Sequence, residues 1–124
     1  MKLKFFTEST GEVFAETLST NPKTLKAVLQ ALPIESTANR WGDEVYFETP
    51  VKVKLENPVQ DVEVGDVAYW PPGRAICVFF GPTPVSKSEK PRAYSPVNVF
   101  ARIVGDARIF SRVKDGEKIM LFSV

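Results

Sequence analysis

The segment Asp43-Glu44-Val45-Tyr46-Phe47-Glu48-Thr49-Pro50-Val51-Lys52-Val53-Lys54-Leu55 alternates apolar and polar residues along its length. Val45, Phe47, Val51, Val53 and Leu55 fall on one side; Glu44, Tyr46, Glu48, Lys52, Lys54 and Glu56 fall on the other. A period of two is the signature of a half-buried β-strand. Pro50 has no N–H for a ladder, so it marks a bend or an edge position. Asn57-Pro58 closes the element.

The neighbouring segments extend the same reading. Ala75-Ile76-Cys77-Val78-Phe79-Phe80 is apolar without interruption, as a strand buried on both faces requires. Val62 to Trp70 reads as a strand broken at Gly65-Asp66, and Pro71-Pro72-Gly73 as a tight turn. Val97 to Val104 alternates again. Lys2 to Thr7 and Glu12 to Leu18 form a hairpin through Ser9-Thr10-Gly11, and Glu117 to Val124 is a last strand. Asn21-Pro22 opens one main helix, with Asn as N-cap and Leu25, Val28, Leu29 and Leu32 as its apolar stripe, ended by Pro33. Ala107 to Val113 predicts one short helix, and Gly81 to Pro96 a long loop. The prediction is one mostly β domain over residues 1–124, with seven or eight strands arranged as a barrel or sandwich.

Composition narrows the chemistry. The 124 residues contain no histidine, which removes the commonest general base near neutral pH and any Ser-His-Asp or Cys-His apparatus within the chain. Without histidine, a single cysteine cannot build a structural zinc site, so neither a metal nor a cofactor is expected. Sixteen basic residues against fifteen acidic give net +1, a balance that predicts no nucleic-acid partner and no membrane association. Cys77, the lone cysteine, suits a reducing compartment. Met1 to Phe6 lacks a signal-peptide pattern and the longest apolar run is too short to span a bilayer, so a cytoplasmic location is expected.

Two strings are specific enough to suggest a family: Asn39-Arg40-Trp41-Gly42-Asp43-Glu44-Val45-Tyr46-Phe47-Glu48-Thr49-Pro50-Val51 and Gly65-Asp66-Val67-Ala68-Tyr69-Trp70-Pro71-Pro72-Gly73. With Cys77-Val78-Phe79-Phe80-Gly81-Pro82-Thr83-Pro84 and the order of elements, the chain resembles the small, stand-alone cyclophilin-like proteins of bacteria and archaea. The resemblance implies a closed β-barrel of about eight strands capped by helices. Cyclophilins isomerise X-Pro bonds with an arginine on the strand after the first helix, a glutamine and a phenylalanine near a later strand, and a tryptophan and a histidine further on. Here Glu44 to Glu48 carries no arginine, although Arg40 precedes it. Phe79 or Phe80 matches the aromatic, but no glutamine stands beside them and no tryptophan or histidine follows Trp70. Prolyl isomerase activity of the cyclophilin type is therefore not expected.

Candidate site residues cluster around the same strings. Trp41 and Trp70 read either as rims of a ligand groove or as plugs of the barrel end. Arg40, Asp43, Glu44 and Tyr46 fall within seven residues, with Glu44 and Tyr46 on one strand face. They read as a polar ligand site or as a solvated face with an ion pair. Glu44 is the best candidate base, because burial raises a carboxyl pKa. Cys77 reads as an inert core thiol. Arg92, Tyr94, Ser95 and Asn98 end the long loop, where they are placed to reach over a pocket, and the Asn98 amide is placed to orient a ligand. Trp70 to Arg74 reads as a rigid turn, not a phosphate loop.

The expectation is a module binding a small molecule or a proline-containing peptide at the barrel mouth, through Arg40, Trp41, Glu44, Tyr46, Trp70, Phe80 and Asn98. The alternative is a degenerate prolyl isomerase, or another histidine-independent enzyme using Glu44. Edges near Pro50 or the last strand offer pairing for a homo-oligomer.

Overall fold

The computed structural model describes residues 1–124. Its elements are β1 (Lys2–Thr7), β2 (Gly11–Thr17), α1 (Pro22–Ala31), β3 (Ile34–Thr37), β4 (Asn39–Arg40), β5 (Glu44–Glu48), β6 (Val59–Asp61), β7 (Asp66–Trp70), β8 (Ala75–Phe79), β9 (Arg92–Ile103) and β10 (Lys118–Ser123). Two short 3₁₀ turns, Pro71–Gly73 and Ala107–Arg112, complete the chain. The fold is mostly β, with ten strands where about eight were expected; β3, β4 and β6 are too short to stand out as periodic segments. No helix is long and apolar enough to cross a membrane.

The strands form one antiparallel sheet in the order β3-β10-β1-β2-β9-β7-β8-β5-β4, with β6 paired to β9 off this path. Hydrogen bonds do not close it into a barrel: the path ends at β3 on one side and β4 on the other. Those two strands are consecutive in the chain, joined by Ala38. The Ala38 N–H donates to Glu117 O at 2.7 Å, and Gly116 N donates to Ala38 O at 2.8 Å. The last strand, β10, is not an exposed edge, because β1 and β3 pair with its two sides.

Two sequence readings change for identifiable reasons. The alternation from Asp43 to Leu55 is a strand only over Glu44–Glu48. Beyond Thr49 the chain leaves the ladder at Pro50, yet Val51 stays buried and Val53 packs against the core while Leu55 is exposed. An extended segment lying on a core reproduces the strand pattern without the strand bonds. At α1, Asn21 makes no side-chain cap. Its amide donates to Val99 O at 2.8 Å and accepts from Asn57 N at 2.7 Å. The first helical N–H groups go instead to Glu56, from Lys23 N at 3.0 Å and Thr24 N at 3.1 Å. A carboxylate there also complements the positive helix end.

The central strands bury both faces, as the unbroken apolar run of β8 requires. One face points Val45, Phe47, Val67, Tyr69, Ile76 and Val78 into the principal core. There Phe5 packs edge-on against Phe47 and Phe110, at 6.3 and 5.7 Å between ring centres. The buried Tyr69 hydroxyl donates to Val51 O at 2.6 Å. The opposite face carries a smaller cluster that includes Ala68, Cys77, Phe79, Val97 and Val99, with Tyr46 and Trp70 packed against it.

Candidate functional site

The site begins at the β4–β5 hairpin. Trp41 N donates to Glu44 O at 3.0 Å and Glu44 N returns a bond to Trp41 O at 3.2 Å, leaving Gly42 and Asp43 as a two-residue turn. Gly42 has φ +58°, the positive value a type II′ turn takes at its first central residue. A Cβ on Gly42 would stand 2.8 Å from the Pro84 ring, so the following loop also needs glycine here. The hairpin sets Trp41 and Glu44 directly opposite each other, and residues so paired share a sheet face.

Register carries this face across the sheet. Glu44 lies opposite Phe79 and Tyr46 opposite Cys77. Cys77 in turn lies opposite Ala68, with Trp70 two residues further along β7. Val97, Ala93 and Tyr94 of β9 complete the surround. Together these side chains enclose a cavity of about 200 Å³ in which Glu44 is the only charged residue. An apolar cavity of roughly 150 Å³ holds benzene, so this one admits a compact group rather than a drug-sized ligand.

The wall of the cavity is aromatic. The Tyr94 ring stands edge-on to Trp41 at 5.9 Å and 78°, and to Trp70 at 6.1 Å and 88°. Trp70 is held from below by Gly73, where a Cβ would come within 2.5 Å of the indole ring. Its indole N–H donates to Ser95 Oγ at 2.6 Å. Tyr94 itself is 67% exposed and forms the outer wall.

Glu44 is only 5% exposed. Desolvation pushes its carboxyl from the ordinary 4.5 up to about 7, against a smaller opposing effect from the Cys77 thiol. Burial also pushes the Cys77 thiol well above its ordinary range, with the charge of Glu44 adding to it. Cys77 is therefore a poor nucleophile and a weak hydrogen-bond donor to the carboxyl. A carboxyl poised near neutrality can give or take a proton. No group of three or more His, Cys, Asp or Glu side chains is placed to hold a metal ion.

Of the sequence candidates, Trp41, Glu44, Tyr46 and Trp70 meet in this cavity. Arg40, Phe80 and Asn98 do not. Arg40 turns away to the short turn near the C-terminus, donating to Ser111 O at 3.1 Å and Val113 O at 3.0 Å. Its guanidinium lies 5.0 Å over the Phe80 ring, and Phe80 belongs to the principal core. Asn98 is fully buried in a structural network. It donates to Thr24 Oγ1 and Lys54 O, both at 3.0 Å, and accepts from Glu56 N at 2.9 Å. Both amide hydrogens are taken, the oxygen accepts from Glu56, and full burial keeps the group away from any ligand. The cavity also lies on the sheet face opposite the principal core, not at a barrel mouth. Phe79, Ala93 and Val97 had no signal as walls, because apolar residues read alike on either face. Tyr94, expected to reach over a pocket, does line it.

The Cyclophilin-like family model matches residues 1–122, and the chain belongs to that family. It is similar over its whole length to the hypothetical protein AF2241 from Archaeoglobus fulgidus, known from a solution structure. The two share 48% identity with a TM-score of 0.85, covering 100% of this chain and 95% of that one. No curated protein matches the sequence.

Proposed function

We propose that the protein is a binding module that seats a small organic molecule, or one side chain of a peptide, in the cavity between Trp41, Glu44, Trp70 and Tyr94. The observation that carries this reading is a preformed aromatic cavity containing one buried, charged residue with no ion-pair partner. Leaving a carboxylate in such a place costs stability, and such costs are retained where a ligand uses them. On this reading residues 1–124 act as one cytoplasmic unit, and the sheet works as a barrel whose seam is the Ala38 link. The same reading expects no prolyl isomerase activity of the cyclophilin type: Arg40 donates to carbonyl groups, and the glutamine, tryptophan and histidine of that apparatus have no counterpart in the sequence. The test is a thermal-shift screen against metabolites and proline-containing peptides. Stabilisation that Trp70→Ala removes supports the reading; a panel with no stabilising compound counts against it.

One observation favours a second reading, an enzyme that uses Glu44 for proton transfer: the carboxyl lines the cavity while buried, and that burial pushes it up to about 7. A protease-coupled peptide assay and a hydrolase panel test it. Turnover abolished by Glu44→Gln supports it, and background rates throughout reject it.

A further inference from the structure

We propose that the group seated in this cavity is an alkylammonium, a methylated nitrogen cation held by the aromatic walls and by Glu44. The proposal rests on the binding-module reading above and names its ligand class.

Three features point the same way. First, the cavity contains one anionic group and no lysine or arginine. The nearby Arg40 is turned to the carbonyls of Ser111 and Val113, so it does not neutralise Glu44. Lacking a cationic neighbour, the carboxyl is complemented by a ligand that brings its own positive charge; an anionic ligand would be repelled. Second, the surrounding surface is dominated by aromatic rings, those of Trp41, Tyr46, Trp70, Phe79 and Tyr94. Tyr94 stands nearly perpendicular to both indoles, so the rings form adjoining walls instead of a closed stack. Ring faces attract cations whose charge is spread over methyl groups, and aromatic cages recognise quaternary ammonium in this way. A strongly hydrated metal ion would find one carboxylate and no other oxygen-rich ligand set. Third, the cavity of about 200 Å³ fits a compact head group.

Both tryptophans of the chain line the cavity, so their fluorescence reports its occupancy directly. Choline is titrated against its uncharged carbon isostere, the alcohol with a tert-butyl group in place of trimethylammonium. A short peptide bearing trimethyllysine forms the third arm. Choline is expected to saturate the signal at a concentration at least tenfold lower than the isostere. Glu44→Gln is expected to cut that advantage several-fold and leave the isostere unchanged, the aromatic walls keeping the remainder. Tyr94→Leu is expected to weaken choline several-fold and the isostere much less, in a protein that still unfolds cooperatively. If the peptide binds tighter than choline, the cation is a protein side chain; if it binds no tighter, the cation is a free small molecule. Equal saturation by choline and the isostere, or a choline affinity that Glu44→Gln does not weaken, overturns the charge assignment and leaves the pocket standing. No saturation by any of the three overturns the charge assignment; the pocket reading then falls if the metabolite screen is also blank.

Discussion

Replacing Glu44 by Gln should make the protein more stable at alkaline pH. The carboxyl titrates at 4.5 in an ordinary setting and at about 7 in the folded chain. Each pKa unit corresponds to about 1.4 kcal/mol, so the ionised form costs roughly 3 kcal/mol more in the fold than in the unfolded chain. Because the folded value is the higher one, the contribution to stability is complete below pH 4.5. It is lost as pH rises towards 7 and stays lost above it. Gln has similar shape and no proton to lose. Its unpaired amide costs about 1 kcal/mol at any pH, which leaves a net gain of about 2 kcal/mol at pH 8. Other carboxylates act in the opposite sense. At Glu56 desolvation is outweighed by bonds from Lys23 and Thr24, and at Glu117 by bonds from Lys114 and Ser9, so both lie below the usual range. Those effects are common to both proteins and cancel in the difference. Urea unfolding followed by tryptophan fluorescence at several pH values measures it. Wild type and variant curves that run parallel between pH 4.5 and 8 would refute the burial argument.

Three further outcomes follow from the same geometry. Asn98→Ala should destabilise the protein by roughly 2–4 kcal/mol in urea, since it strips partners from Thr24, Lys54 and Glu56, while leaving the emission spectrum of the tryptophans unchanged. Gly73→Ala should push the Trp70 indole off its seat, costing about 1–3 kcal/mol and shifting that emission; an unaltered spectrum would contradict the placement of Trp70. Cys77 should resist a thiol reagent in the native protein and react once in denaturant, and rapid native labelling would show that the thiol is not buried.

What the sequence could show here depended on range. The pairing of Trp41, Glu44 and Tyr46 is local, set by one turn and a period of two, and those residues were readable together. Arg40 and Asn98 sit beside them in sequence or pattern, but their partners lie far along the chain: Ser111 and Val113 for one, Thr24, Lys54 and Glu56 for the other. No local pattern distinguishes an amide that meets a ligand from one that meets a distant carbonyl. Parity along β5 and β8 separates two faces, yet cannot say which one is the core when both are apolar. The stretch after Pro50 misled for a related reason. Val51 and Val53 alternate because they rest on the core, and burial alone imposes that pattern. The helix starts where Asn21-Pro22 places it, but the capping acceptor comes from Glu56, more than thirty residues away, and no local pattern reveals that.

Glu44 is a carboxyl held in an aromatic cavity without a counter-charge. Carbon NMR of the Glu44 side-chain carboxyl, titrated with pH and assigned by comparison with Glu44→Gln, reads that directly. The predicted midpoint lies near 7, moving downward when choline is present at saturation; a midpoint at the ordinary 4.5 in the free protein would contradict the account.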